Sequence, residues 1–328
     1  MLKSTIRINA ESEGEHTLLK DSFHSAPYKV IHYGTRHLHK HLELIMMSAS
    51  PGIMDEDEIS ITVDVHEKAH LKLFTQSFSK LHPMKKGAVQ KTAVNVKKHG
   101  VFKYIPHPVT PFSNAKFKTV NEIHLDKSAT LIWGDIIASG RVYSGESFQF
   151  TSIHSITKIF RDKKLVLLDN QLLEPAWQPV SSILFYEDYT HQATLIFVSP
   201  YARELKSELD EILIGQYEQI TFGFTECAAD AIMLRAMGNE GTLLHDWLTT
   251  MGQLCWEFTM HKSQDVLTVV DPEKQSEALP PVISDSEIRK TTDAIQKNAA
   301  YIGVDGKKTI IKFRKKKAIE ATCAKAEV

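Results

Sequence analysis

Alternation of apolar and polar residues dominates the first 200 positions of the chain. Residues that alternate in this way place their side chains on opposite faces of a β-strand. The alternation is regular at 59–65, 71–74, 94–96 and 148–150. Two continuous apolar runs, 183–186 and 193–198, have the length of strands buried on both faces. Turn signals such as Pro51-Gly52 and Asp169-Asn170 separate these segments. The pattern therefore predicts an all-β body made of many short strands.

Helical spacing appears only after residue 200. Apolar residues recur at steps of three and four over 202–214, 226–237 and 242–261, which predicts three helices. Gly238 follows the second segment and is predicted to cap it. The third segment has a long apolar stripe, which we expect to pack mainly on the β body. Three of its residues are also candidates for contact with a partner protein. They are Trp247, Met251 and Leu254.

Composition narrows the class of protein. Of the 328 residues, 42% are hydrophobic, which is enough for a sizeable core. Lys plus Arg (39) nearly equals Asp plus Glu (40), so no net field attracts nucleic acid or an anionic membrane. Cys227, Cys255 and Cys323 lie far apart, which argues against a disulfide framework and a thiolate zinc site. The N-terminus lacks a signal-peptide pattern, and no apolar run approaches the ~18 residues of a membrane span. We expect a soluble cytoplasmic protein.

The composition changes again near residue 271, where acidic residues flank Pro280-Pro281. The basic run at 312–317 near the end of the chain is interpreted as part of a solvated terminus. We predict a β domain with C-terminal helices over 1–265, a linker over 266–284 and a tail over 285–328.

A histidine-rich segment at 36–44 is the first candidate for metal binding. It places His37, His39, His41 and Glu43 at alternate positions, so a strand would turn all four the same way. Imidazole is a good ligand for divalent nickel or zinc. The same alternation also predicts a polar row that faces solvent opposite three leucines, and we favour this second interpretation.

Carboxylates are the candidates for enzymatic chemistry. An acidic run at 55–58 follows Pro51-Gly52, and Asp135 and Glu146 come later. Hydrolysis by paired carboxylates requires two that face each other, one with its pKa raised by burial. Arg141 stands where it can form an ion pair with Glu146. The sequence contains no G-x-S-x-G elbow, phosphate-binding loop or H-E-x-x-H helix, so three common enzyme classes lack support.

Five short blocks follow the order and spacing of a known family. They are A-P-Y-K-V (26–30), S-P-G (50–52), T-Q-S-F-S-K (75–80), Y-I-P-H-P (104–108) and G-R-V-Y-S-G-E-S-F (140–148). In these blocks the chain resembles the UreD/UreH family of urease accessory proteins, over about residues 25–175 and more weakly to 261. The positions that match the family motifs are Pro51, Gly52, Thr75, Gln76, Lys80, Pro106, Pro108, Gly140, Arg141 and Gly145.

The chain departs from the family pattern at four positions. Ile53 replaces a second glycine after Pro51-Gly52, and Asp57 is displaced by one or two places from the family's G-D pair. His107 replaces the glutamate of a P-E-P segment, and Asp135 replaces the glutamate that precedes G-R. The residues after 271 have no counterpart in the family pattern.

The resemblance implies both a fold and a function. The implied fold is mainly β, a helical stack of short strands (a β-helix-like solenoid) with two or three α-helices in the C-terminal third. The implied function is a non-enzymatic scaffold that binds a UreF-like protein and, through it, a UreG-like GTPase. The scaffold bridges this assembly to apo-urease and assists nickel delivery, without nucleic acid or membrane. No tightly bound cofactor is implied, and nickel passes in transit. The candidates for its path are Asp57, His107, Asp135 and Glu146.

Two other functions remain open at this point. The first is a β-solenoid carbohydrate-active hydrolase that uses Asp135 with Glu146, or the acidic run near Asp57, as paired carboxylates. The second is a structural module of the adhesin kind, which would have to be exported. Turnover by the isolated protein would distinguish the first from a scaffold, and the N-terminus offers no signal for the second.

Overall fold

The computed structural model describes residues 2–33, 39–212, 219–228 and 230–270, with the backbone alone in 210–212 and 264–270. The chain divides into two compact units. The first consists of Met1–Glu208 and Glu218–Ser263 and contains both β-sheets. The second consists of Leu209–Tyr217 and Gln264–Val328. His37, Cys323, the basic run and nearly all of the predicted linker and tail lie outside the described residues.

A seven-stranded sheet forms the first layer of the fold. Numbered in chain order, its strands are β1 (Lys3–Glu13), β2 (His16–His24), β5 (Glu58–Val65), β8 (Ala88–Val96), β11 (Lys116–Leu125), β13 (Ser152–Arg161) and β14 (Lys164–Leu173). They lie in the order β14-β13-β11-β8-β5-β1-β2. Every second residue of β5 from Ile59 to Val65 is buried, so the alternation predicted at 59–65 is confirmed.

A ten-stranded sheet forms the second layer. Its strands are β3 (Tyr28–His32), β4 (Leu42–Ser48), β6 (His70–Thr75), β7 (Ser79–Leu81), β9 (Val101–Tyr104), β10 (Val109–Pro111), β12 (Thr130–Ala138), β15 (His191–Val198), β16 (Ile220–Ala228) and β17 (Ala231–Gly238). Eight of them lie in the order β16-β17-β15-β12-β9-β6-β4-β3, and β10 joins β7 to β12. The chain is mainly β, as predicted.

The chain alternates between the two sheets from β4 to β13. In the first sheet β1, β5, β8, β11 and β13 pair in parallel, and in the second β4, β6, β9 and β12 do the same. The ends of both sheets are different. There the pairs β1–β2, β13–β14, β3–β4 and β16–β17 are antiparallel. A parallel centre is therefore flanked at each end by antiparallel strands, one strand at three of the ends and the three strands β15, β17 and β16 at the fourth.

The core lies between the facing sides of the two sheets. Residues at alternate positions, such as Ile6 and Ile8 of β1 and Leu71 and Leu73 of β6, are buried in one apolar cluster. In strands such as β5, burial on one face explains why the sequence alternates, whereas β9, β12 and β15 are buried on both faces.

Two of the three predicted helices are present. Helix α1 (Ala202–Ile212) and helix α2 (Gly241–Val270) confirm the first and third predictions, and α2 continues beyond residue 265. The helix predicted over 226–237 is wrong, because residues 226–228 end β16 and residues 231–237 belong to β17. Gly238 does not cap a helix but ends β17, where it pairs with His191 and Ile220.

Two predicted strands are also wrong. Residues 183–186 lie in turns, where Ile183 and Leu184 are exposed while Tyr186 is buried. Residues 148–150 lie in a loop, in which the Phe148 ring is 4.9 Å from the ring of Tyr186. The aromatic residues Phe148 and Tyr186 anchor these loops to the core, whereas Ile183 and Leu184 take no part in that packing.

Helix α2 packs on the outer face of the ten-stranded sheet. A Cβ atom on Gly252 would lie 2.2 Å from Cδ1 of Ile105, and one on Gly134 would lie 3.1 Å from Cδ2 of Leu248. Glycine on both sides of the contact therefore allows the helix to approach the strands closely. This helix covers a row of charged side chains on the sheet.

Candidate functional site

The loop after β12 contains the motif G-R-V-Y-S-G-E at 140–146, with a short 3-10 helix at Val142–Ser144. Gly140 has a φ of 149°, and a Cβ atom there would lie 2.6 Å from the backbone oxygen of Glu146. Arg141 Nε donates to Glu146 Oε2 at 2.8 Å, and its guanidinium lies 4.2 Å from the Phe112 ring centroid. The ion pair predicted from the sequence is confirmed. The hydrogen bond from Arg141 lowers the pKa of Glu146, so this carboxylate is ionised and already engaged.

The S-P-G block and the T-Q-x-x-x-K block meet in space. Ile53 N–H donates to the backbone oxygen of Lys80 at 2.8 Å. A Cβ atom on Gly52 would lie 2.6 Å from that same oxygen, so only glycine fits there. The carboxylate of Asp57, which is buried, accepts hydrogen bonds from the backbone N–H groups of Met54 at 2.8 Å and Leu2 at 3.2 Å. Asp57 therefore organises this turn.

Thr75 joins the T-Q-x-x-x-K block to His107 of the Y-I-P-H-P block, near the beginning of α2. The N–H of His107 donates to Thr75 Oγ1 at 2.8 Å, and its Nδ1 lies 3.0 Å from the same oxygen. The imidazole stacks on that of His245 in α2, with 4.2 Å between ring centroids. Burial lowers the pKa of both imidazoles, to about 4 for His245. Nearby, the backbone oxygen of Pro108 accepts from Ser79 N–H at 3.0 Å.

Asp135 belongs to a polar group between the two sheets. Asp135 of β12 is in register with Thr194 of β15, which is in register with Arg235 of β17. Arg235 Nη2 donates to Asp169 Oδ1 of β14, in the other sheet, at 2.5 Å. Gln171 Nε2 donates to Asp169 Oδ2 at 2.8 Å, and Gln192 Nε2 donates to Gln171 Oε1 at 2.9 Å. We call this group the inter-sheet polar cluster. Its members are Asp135, Asp169, Gln171, Gln192, Thr194 and Arg235.

The charged groups of the inter-sheet polar cluster differ in burial and in pKa. Burial raises the pKa of Asp135 to about 7, and the nearby charge of Asp169 adds to the effect while Arg235 opposes it. The Arg235 side chain is 44% exposed and that of Asp169 only 12%, so the cluster reaches from solvent into the interior. At neutral pH Asp135 is thus poised to take up or release a proton. Carboxylate and amide oxygens together can hold a hard or borderline divalent cation weakly.

The four candidates for the nickel path occupy different environments. Asp135 lies in the inter-sheet polar cluster, and Glu146 is paired with Arg141. Asp57 accepts hydrogen bonds within a turn, and the His107 ring stacks on a histidine of α2. Across residues 2–33, 39–212, 219–228 and 230–270, no three or more His, Cys, Asp or Glu side chains are grouped to hold a metal ion. Asp169 and Arg235 were missed by sequence analysis, since Asp169-Asn170 has the composition of a turn and Arg235 lies in the segment predicted as helical.

The three candidates for partner contact differ in exposure. Trp247 is only 2% exposed, and its ring lies 5.2 Å from that of Phe222. It therefore belongs to the core rather than to a surface open to a partner, because α2 turns this side chain inward. Met251 and Leu254 are half-buried. Their assignment to a partner surface remains a prediction.

The histidine-rich segment takes part in the charged row beneath α2. Glu43, Lys72 and Lys103 are in register on β4, β6 and β9. His41 Nε2–H donates to Glu43 at 2.9 Å, and this bond, with the charge of Lys72, lowers the pKa of Glu43 to about 2. The ring of Trp256 in α2 lies 4.7 Å from Lys72 Nζ. His39 is exposed, as the favoured interpretation predicted, whereas His41 and Glu43 are half-buried because a helix covers them.

Lys103→Met is expected to stabilise the protein by about 2 kcal/mol at pH 7, since it removes a buried charge. Lys103 is 2% exposed, and burial together with repulsion from Lys72 lowers its pKa to about 8. The folded state disfavours the protonated lysine, so wild-type stability should rise as pH increases from about 8 to 10.5, and this rise should shrink in the variant. Urea unfolding at several pH values measures both effects.

Lys72→Met is the matched control for this prediction. Lys72 Nζ donates to Glu43 at 3.3 Å, so its removal leaves the Glu43 carboxylate with the His41 imidazole and without its lysine. This variant should lose stability, because a carboxylate in a half-buried site loses its cation. The same sign for both variants would contradict the assigned roles of the two lysines.

Within the described part of the chain, neither helix combines the length and the apolar character required to cross a membrane. The described cysteines are free thiols, with Cys227 exposed and Cys255 buried.

Comparison with known proteins agrees with the motif blocks. The family model described as UreD urease accessory protein matches residues 3–269. Urease accessory protein UreD of Flavobacterium johnsoniae is 33% identical over 240 residues, which are 73% of this chain and 87% of that protein. Urease accessory protein UreD of Acetivibrio thermocellus is 32% identical over 250 residues, 75% of this chain and 94% of that protein. Urease accessory protein UreH of Helicobacter hepaticus is 30% identical over 155 residues, 47% of this chain and 62% of that protein.

The match extends over both sheets and both helices. These similarities place the chain among the accessory proteins of urease. It belongs to the UreD family.

Proposed function

We propose that this protein is a non-enzymatic cytoplasmic scaffold in urease maturation. It binds a UreF-like accessory protein and, through it, a UreG-like GTPase, and it bridges this assembly to apo-urease while nickel is delivered. Membership of the UreD family supports a role in urease maturation. The inter-sheet polar cluster is the observation that supports a part in moving a cation. The alternative of a carbohydrate-active hydrolase is not supported, since Glu146, one of its two proposed carboxylates, is paired with Arg141.

The inter-sheet polar cluster has the properties that a transient cation site requires. Nickel is cargo here, so its ligands must release it as readily as they bind it. The pKa of Asp135 is about 7, which lets a proton replace the cation near neutral pH. Asp169 is already held by Arg235 at 2.5 Å, so a cation must compete with a guanidinium for that carboxylate. Both features weaken binding, which favours passage over storage.

The other three candidates for the nickel path are less available to bind the ion. Glu146 can bind nickel only after its ion pair with Arg141 breaks. Asp57 must lose its hydrogen bonds from the N–H groups of Met54 and Leu2. His107 is neutral at pH 7 because burial lowers its pKa, but its Nδ1 already lies 3.0 Å from Thr75 Oγ1 and its ring stacks on that of His245. We therefore rank Asp135 first among the four.

We also propose that the alternating parallel strands form a β-helix-like solenoid. The chain passes from sheet to sheet from β4 to β13, and successive strands stack in parallel, which is the connectivity of such a coil. A rigid stack of this kind would hold several proteins in fixed positions around the cation path.

Asp135→Ala is expected to reduce nickel in urease several-fold while binding to the UreF-like protein stays intact. The physical reason is that the variant removes the proposed cation ligand but leaves the outer surfaces unchanged. Co-expression with the urease subunits and the accessory proteins, followed by metal analysis of purified urease and copurification with the UreF-like protein, measures both. Glu146→Ala is the parallel variant.

Three results would count against the proposed function. Unchanged nickel content in urease after deletion of this chain would refute the maturation role. Equal loss of nickel loading and of UreF-like binding in Asp135→Ala would indicate misfolding and would remove the support for a cation path. Glycan turnover by the isolated protein would revive the hydrolase alternative.

A further inference from the structure

The segment between β14 and β15, residues 174–190, exposes large apolar side chains. Trp177 is 86% exposed, Ile183 is 81% exposed and Leu184 is 93% exposed. Scattered apolar residues on a surface are ordinary, but three large ones in a single connection are characteristic of an interaction site. We call residues 174–190 the apolar loop.

The apolar loop is held firmly despite its exposure. Tyr186 is buried, its ring lies 4.9 Å from that of Phe148, and its N–H donates to the backbone oxygen of Val180 at 2.9 Å. Gln178 Oε1 accepts from Glu174 N–H at 2.7 Å. A loop with these anchors presents its apolar side chains in a fixed arrangement, which reduces the entropy lost on binding.

Leu184 occupies a backbone conformation that its side chain disfavours. Its φ is 66°, in the left-handed region that suits glycine or asparagine better than leucine. Its N–H donates to the carboxylate of Glu187 at 3.0 Å, and Glu187 itself has a φ of 51°. The loop therefore keeps a strained conformation that directs a bulky apolar side chain into solvent. A strained backbone persists only where the surrounding structure fixes it, and such residues cluster at binding and active sites.

The exposed apolar surface continues onto β14. Gln178 Nε2 donates to the backbone oxygen of Leu172 at 3.1 Å, which brings the loop back to the strand. Leu172 and Leu168 are two of the exposed large hydrophobic residues of the protein. They lie four residues apart on one face of β14, which is the edge strand of the seven-stranded sheet.

The charged residues within this stretch of the chain are all acidic. Residues 165–202 contain neither lysine nor arginine, but they contain Asp169, Glu174, Glu187 and Asp188. Asp169 is paired with Arg235, whereas Glu187 and Asp188 are exposed. A complementary surface must therefore combine an apolar pocket with lysine or arginine side chains at its rim.

We propose that the apolar loop is a docking site for a protein partner whose surface carries an apolar pocket rimmed by basic side chains. Trp177, Ile183 and Leu184 fill the pocket, since aromatic and large aliphatic anchors supply most of the binding energy of such interfaces. Glu187 and Asp188 meet the basic rim. The proposal rests on the proposed scaffold function, which requires at least two protein-binding surfaces.

The test uses the full chain with Ile183→Ser and Leu184→Asn combined. Asparagine tolerates the left-handed conformation, so the variant removes apolar surface without new strain. Binding to the UreF-like protein and to apo-urease of the same organism is measured separately by calorimetry. At least a 10-fold loss of affinity for one of them is expected, together with weaker wild-type binding in higher salt. Leu18→Ser, at an exposed position on the opposite edge strand β2, is the matched control and should bind as the wild type does.

The outcomes separate the docking site from the scaffold function. Wild-type affinity of the double variant for both partners would overturn the docking site and leave the scaffold function standing. Failure of the wild type itself to bind either protein would overturn the scaffold function. Self-association of the wild type that the variant abolishes would identify a second copy as the occupant and would also overturn the proposal. If thermal unfolding shows that the double variant is destabilised, Trp177→Ser replaces it with the same expected loss.

Discussion

Asp135→Asn is expected to stabilise the protein above pH 7 and to have little effect near pH 4. Burial, with the charge of Asp169, raises the pKa of Asp135 from 3.8 to about 7. Because folding raises this pKa, the protonated Asp135 stabilises the folded state fully below the pKa of the unfolded chain, 3.8. This stabilisation is lost as pH rises through the pKa of the folded protein, about 7. Asparagine stays neutral, so the variant should exceed the wild type by about 3 kcal/mol at pH 8.5. Urea unfolding of both proteins from pH 4 to 9 gives the difference.

Asp169→Asn provides the matched control with the opposite sign. Asp169 accepts from Arg235 at 2.5 Å and from Gln171 at 2.8 Å, so its replacement deprives a guanidinium of its carboxylate. We expect this variant to be less stable than the wild type at pH 7. A stability difference between Asp135→Asn and the wild type that does not change with pH would show that Asp135 titrates normally.

Gly140→Ala is expected to destabilise the protein by about 3 kcal/mol. The φ of 149° at Gly140 is in a region that side chains rarely adopt, and the added Cβ atom would lie 2.6 Å from a backbone oxygen of Glu146. Because that oxygen belongs to the main chain, it cannot move aside without displacing the motif loop. The loss should appear as a lower midpoint of denaturant unfolding.

Gly145→Ala separates steric clash from backbone strain. Gly145 has a φ of 77°, but no atom lies within 4 Å of the position of its Cβ. Its replacement should therefore lower stability by only about 1 kcal/mol, the ordinary penalty for the left-handed conformation. Equal losses at the two glycines would mean that close packing against Glu146 is unimportant.

The alternating pattern predicted the strands best where one face alone is buried. Residues 59–65 are an example, because Ile59, Ile61, Val63 and Val65 face the core and the residues between them do not. The pattern failed at β17, where Ile232, Leu234 and Ala236 are buried on one side and Met233 and Met237 are half-buried on the other. With apolar residues on both faces, the period of two disappears and a helical spacing arises by chance.

The sequence identified the motif loops but not the polar cluster. Glycines at 52 and 140 and the pair Arg141–Glu146 are local features, and their roles follow from short spacings. Asp135, Asp169 and Arg235 lie on β12, β14 and β17, and the last two are 66 residues apart along the chain. Their proximity depends on how two sheets stack, which side-chain periodicity in one strand cannot reveal.

The antiparallel pairs at both ends of each sheet have a consequence for aggregation. A row of parallel strands is open at its ends, and each open end offers unpaired N–H and C=O groups to another molecule. Here the first hairpin, β1–β2, covers the side of β1 that β5 does not occupy. A fragment that begins after β2 would leave β5 bare along its whole length. Such a fragment should self-associate through the bare edge of β5, whereas the whole chain presents β2 at that end, where the charged Lys20 and Asp21 disfavour pairing with another molecule.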